Sequence, residues 1–157
     1  MRYHYFIIFF FIFTISCVPK AFLLDQPQLL SVYFDRKIKN LEKNDMPSID
    51  DQRDLIRIKV EYGFGVIMEQ ADRLIDMDYY SAIDKYNEAN TVFKEARDLG
   101  ILVLNRKYPL FDDWLRNEAK IKFIKNDVID LYWLAAAYGG TIGSSRGNPF
   151  ELIHLPS

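Results

Sequence analysis

Residues 78–106 read DYYSAIDKYNEANTVFKEARDLGILVLNR. Ala82, Tyr86, Ala89, Phe93, Ala96, Leu99 and Val103 recur at intervals of three and four, which is one stripe of a 3.6-residue helix. Small and aromatic residues alternate along the stripe. Alanines make hollows and rings fill them, so the stripe is built to meet another helix closely. Gly100 is expected to bend or fray this helix.

The residues before it repeat the pattern. Over 51–77, Ile56, Val60, Phe64, Ile67, Ala71, Leu74 and Ile75 form an apolar face, and Arg53, Lys59, Glu61, Glu69 and Arg73 form the opposite one. Gly63 and Gly65 would each cost a helix ~1 kcal/mol against alanine. Close helix approach around Tyr62 and Phe64 accounts for them. A phosphate-binding glycine loop does not, because no Lys-Ser/Thr pair or strand context follows. Upstream, Leu29, Leu30, Val32, Tyr33, Ile38 and Leu41 give a helix over 29–41, and Pro47, Ser48 and Asp50 are start residues for the next. Downstream, Pro109 precedes a short apolar face of Leu110, Phe111, Trp114 and Leu115. Residues 118–126 are basic and mixed. A last helix is expected over about 128–142, stopped by Gly147, Asn148 and Pro149. No segment alternates with period two between hairpin turns. The fold class is all-α, an array of antiparallel helix pairs.

The chain has 157 residues, enough for one domain with a sizeable core. Its formal charge of −2 and the absence of a basic stripe exclude nucleic acid as a partner class. Half the residues are apolar, which excludes general disorder. The first segment is read apart from the fold. After Arg2, the run FIIFFFIFTIS carries no charge, and it is too short for the ~20 residues of a bilayer span. Cys17, the only cysteine, ends it. The expectation is a lipoprotein signal over 1–16, cleavage before Cys17 and acylation of its sulfur. Residues 17–28 form a tether, and 29–157 belong to the helical domain. The segment resembles a bacterial lipobox, with Ser16 matching and Thr14 standing where leucine is usual. An ordinary signal peptide with a chance cysteine is the alternative.

Candidate chemistry is sparse. His4 lies in the signal, and His154, beside Leu155 and Pro156, reads as a loop residue with no partners at metal or triad spacing. Asp50-Asp51 and Asp112-Asp113 stand where helices begin and read as caps. Lys120, Lys122 and Lys125 read as a solvated face. No enzyme, metal or cofactor is assigned.

Residues 130–149 read DLYWLAAAYGGTIGSSRGNP, with bulk at one end and almost no side chain at the other. Tyr132-Trp133, the alanines 135–137, Gly139-Gly140, Ile142, Ser144, Asn148-Pro149 and Leu155-Pro156 resemble the T-component family. Those lipoproteins are attached to tripartite ATP-independent periplasmic (TRAP) transporters. The run through Ala89, Phe93, Ala96 and Asp98-Leu99-Gly100 resembles it too, as does Tyr62-Gly63-Phe64. The alanine-aromatic-alanine triplets Ala82-Tyr86-Ala89 and Ala89-Phe93-Ala96 are similar to the second helix of a tetratricopeptide repeat (TPR). Trp133, Ala136, Ala137 and Gly140 meet part of the repeat consensus.

The resemblance implies a TPR-like α-solenoid that forms a homotrimer, binds the periplasmic solute receptor and lines a passage for an apolar or small organic ligand. It implies a lipid-anchored, periplasm-facing place in the cell envelope, with the outer membrane favoured. Tyr62, Phe64, Trp133, Tyr138 and Gly140 are the expected ligand or partner contacts. Trp133 is expected to be buried between helices, and Gly140 to make a tight contact or to wall the passage. A partner helix is expected just after Leu155-Pro156, so the chain reads as truncated at its C-terminus. The alternatives are a structural or interaction helical envelope lipoprotein without a transport role, and a secreted helical enzyme.

Overall fold

The computed structural model describes residues 27–148 and Phe150. Cys17, the signal, most of the tether and His154 lie outside these residues. The described chain is helical and contains no strand. Helix α1 spans Pro27–Glu42 and α2 spans Ile49–Tyr62. A π-helical segment, Gly63–Met68, continues α2 into α3, Glu69–Leu74. Then come α4 (Tyr79–Lys107), the short α5 (Phe111–Leu115), a 3-10 turn (Lys125–Asp127) and α6 (Val128–Ser144).

Each boundary has a local cause. Pro27 opens α1 two residues ahead of the expected start, and proline is tolerated there because the first-turn N–H groups have no helical acceptor. Ser48 caps α2: its Oγ accepts from the Asp51 N–H at 3.0 Å, and its own N–H donates to Asp51 Oδ2 at 3.0 Å. Such a cap stabilises a helix by about 1 kcal/mol. Asp78 caps α4 through the Ser81 N–H at 3.2 Å. Beyond α6, Arg146 and Gly147 take positive φ values of 51° and 89°, which ends the helix.

Side-chain pairings give the directions. From α1 to the continuous α2–α3 run, Ser31 meets Gln70 of α3, Phe34 stacks on Tyr62 and Glu42 pairs with Lys59. From α2 to α4, Gln52 meets Arg106, Lys59 meets Glu95 and Gly63 meets Phe93. From α4 to α6, Lys107 pairs with Asp127, Gly100 faces Leu134 and Asn90 donates to the Thr141 carbonyl. In each series one number rises as the other falls, so successive long helices are antiparallel. It follows that α2 and α6 run parallel on α4.

The stripe of α4 is the core. Ala82, Tyr86, Ala89, Phe93 and Ala96 are buried, with Val103 close behind. Burying a side chain of the size of phenylalanine stabilises by roughly 1.5–3 kcal/mol. Gly100 neither bends nor frays α4. It is buried, and a Cβ there would lie 3.1 Å from Leu134 Cδ1, so the missing side chain admits α6.

Three expectations are corrected. Phe64 leaves the apolar stripe and is 43% exposed, because the π-helical segment carries an extra residue in its turn and rotates the face. Gly63 takes the inner place: a Cβ there would lie 2.5 Å from Phe93 Cζ, while one at Gly65 would meet nothing within 4 Å. Lys59 is buried rather than solvated, since α1 and α4 cover both sides of α2. Its Nζ bridges Glu42 at 2.7 Å and Glu95 at 2.6 Å. In α1, Leu29, Val32 and Tyr33 stay exposed, and Leu30, Phe34 and Ile38 turn inward at strict i, i+4 spacing.

Candidate functional site

A groove of about 410 Å³ runs between the parallel helices α2 and α6, over α4. That is within the size range of small-molecule sites. Ile56 and Val103 give it an apolar floor, with Gly100 beside them. Ile129 and Trp133 form the α6 wall. Trp133 is half-buried, so it lines the groove rather than disappearing between helices as expected. Its ring meets Tyr132 edge-on at 5.0 Å.

Charged groups rim the groove. Arg53 grips Asp130 with both arms of its guanidinium, Nε to Oδ1 at 2.8 Å and NH2 to Oδ2 at 2.7 Å. Asp130 is nearly buried, so this pair ties α2 to α6 at the mouth of the groove. The Asp130 hydrogen bond raises the Arg53 pKa above its already high value. Arg57 pairs with Asp54 at 3.1 Å, one turn apart on the exposed side of α2. Asp54 and Glu61 complete the acidic rim.

The other expected contact residues are not gathered here. Tyr62 is buried against Phe34, rings 5.4 Å apart, and burial pushes its hydroxyl pKa up to about 12. Phe64 lies over Phe93 with ring centroids 4.6 Å apart. Gly140 is buried, and a Cβ there would overlap the Phe93 ring. Phe93 is thus clamped between Gly63 and Gly140. Tyr138 is half-buried under the Arg97 guanidinium, 5.7 Å from its ring centre. Gly140 therefore has a packing role in this fold.

Two features escaped sequence reasoning. Asp127 is fully buried and accepts from Lys107 Nζ, the Tyr108 hydroxyl (2.5 Å) and the Ile124 N–H (2.8 Å). Burial alone would raise its carboxyl. The three donors and the Lys107 charge outweigh that and hold it at about 2. This node fastens the irregular 118–126 segment to α4. The second is a smaller groove of about 320 Å³ between the α1–α2 turn and α4, lined by Leu41, Leu55, Leu99 and Leu102. Arg106 edges it and donates to Gln52 at 3.1 Å. A match of Asp127 to the basic Lys107-Tyr108 step would have been the only sequence signal for the node.

Among the described residues, no group of three or more His, Cys, Asp or Glu side chains could hold a metal ion. No described helix is long and apolar enough to cross a membrane. No family model, curated protein or solved structure matches this chain.

Proposed function

We propose that this chain is a non-enzymatic lipoprotein adaptor of a TRAP-type solute transporter, built as a TPR-like solenoid. On this reading Cys17 carries the lipid anchor and holds the domain at the periplasmic side of the envelope, on the outer membrane. Three copies assemble, bind the periplasmic solute receptor and pass on an apolar or small organic ligand.

The observation that carries the reading is the groove beside Trp133. The segment on which the family resemblance rests is also one wall of that groove. Its floor is apolar, and both of its guanidinium groups are engaged by carboxylates. Guanidinium groups do not give up a proton near neutral pH and the carboxylates paired with them are held in place, which leaves Glu61 as the one ionisable group of the lining unpaired among the described residues. Holding a ligand suits this arrangement better than converting one.

The test is a pull-down of the full chain with the periplasmic solute receptor of a TRAP-type transporter from the same organism. Enrichment over an unrelated lipoprotein is the expected result. No enrichment would remove the transport role and leave a structural envelope lipoprotein.

A further inference from the structure

The charges around the groove between α2 and α6 do not balance. Its ionisable lining is Arg53, Asp54, Arg57, Glu61 and Asp130, two cations against three anions. Asp130 holds Arg53 and Asp54 holds Arg57. Glu61 is exposed and has no ion-pair or hydrogen-bond partner among the described residues. Arg57 lies one turn before Glu61 and could exchange Asp54 for it, since exposed pairs at i, i+3 and i, i+4 are both weak. The exchange changes nothing in the sum: whichever acid Arg57 serves, one negative charge is left over.

That charge lies beside an apolar and aromatic surface. Ile56 and Val103 form the floor, and the half-buried Trp133 presents its indole in the wall. Indole faces attract cations, and attract them more strongly where water is partly excluded. An organic anion would meet guanidinium groups already satisfied and a carboxylate that repels it. We propose that the groove takes a small amphipathic cation, an alkyl- or arylammonium, with its apolar body on Ile56, Val103 and Trp133 and its head at Glu61. The proposal rests on the groove being a ligand site; it does not depend on which protein the chain binds.

The test is calorimetric titration of the full chain with three probes of one chain length: hexyltrimethylammonium, hexanol and hexanoate. The ammonium should bind at least about ten-fold more tightly than hexanol, and hexanoate more weakly than hexanol. Glu61→Gln should bring the ammonium down to the level of hexanol and leave hexanol unchanged. Glu61 is exposed, so the variant should keep the wild-type melting temperature, and Glu61→Asp should recover part of the preference. Equal affinity for ammonium and hexanol, a preference for hexanoate, or an ammonium preference that survives Glu61→Gln would overturn the cation reading alone. Binding of none of the three probes would overturn the groove as a ligand site as well.

Discussion

A Cβ added at Gly140 would overlap the Phe93 ring, whereas one added at Gly139 would meet no atom within 4 Å. Adjacent glycines in one helix should therefore answer alanine with opposite signs. Gly140→Ala should destabilise by ~1–3 kcal/mol through overpacking. Gly139→Ala should stabilise by ~0.4–1 kcal/mol, because it restricts the unfolded chain and disturbs no contact. Urea denaturation of the two variants reads this directly. Gly140→Ala should cost less in a Phe93→Leu background, and equal costs in both backgrounds would show that the ring is not the obstacle. Asp127 makes a second residue-scale case. Its carboxyl titrates at about 2 in the folded chain against 3.8 for the ordinary group. A depressed carboxyl contributes stability above the unfolded value and loses it as pH falls through the folded one. Wild-type stability should thus fall between about pH 4 and pH 2, and Asp127→Asn should be less stable at neutral pH with a flatter profile over that window. Parallel acid profiles for the two proteins would contradict the node. Neither Phe93's clamp nor the Asp127 node could be read locally. The first joins residues 63, 93 and 140, and the second lies in a stretch with no period.

Ion pairs between helices differ in which partner is buried, and that decides what their loss does. Lys59 is buried, but Glu42 and Glu95 are roughly half exposed. Lys59→Met should therefore stay within about 1 kcal/mol of wild type, since the carboxylates it leaves return to water. Arg53→Met leaves the nearly buried Asp130 without its cation and should cost ~1–3 kcal/mol. Thermal melts of the two variants measure the contrast, and similar losses would contradict it. The elements themselves were largely legible. The α4 stripe is buried from Ala82 to Ala96, and α6 extends two residues past its expected end. Phase was harder than period. A single π-helical turn moved Gly63 inward and Phe64 outward, and nothing in GFG distinguishes that turn from a continuous α-helix. Lys59 falls on the polar face of the 51–77 period, and no period reveals that a helix is covered on two sides.

At the scale of the molecule, α4 is packed by α2 and α6 in parallel, and their separation is the groove. The resemblance singles out Trp133 as a contact, but the sequence reads it as buried between helices, and its place in the groove wall depends on where α2 lies. Arg53 and Glu61 lie two turns apart on α2, but Asp130 comes from α6, and no spacing in the sequence joins it to them. The anchor belongs to this scale too. Wild-type chain from bacterial membranes should carry a lipid mass on Cys17, and Cys17→Ala should lose it and leave the membrane fraction. An unmodified wild-type cysteine by mass spectrometry would end the lipoprotein reading. The adaptor claim stands on one association. Purified full chain should be titrated against the solute receptor of a TRAP-type transporter from the same organism, with Trp133→Ala in parallel. The account predicts saturable binding that the Trp133→Ala variant weakens while its helical content is retained. Wild-type chain that shows no binding across the titration would contradict it.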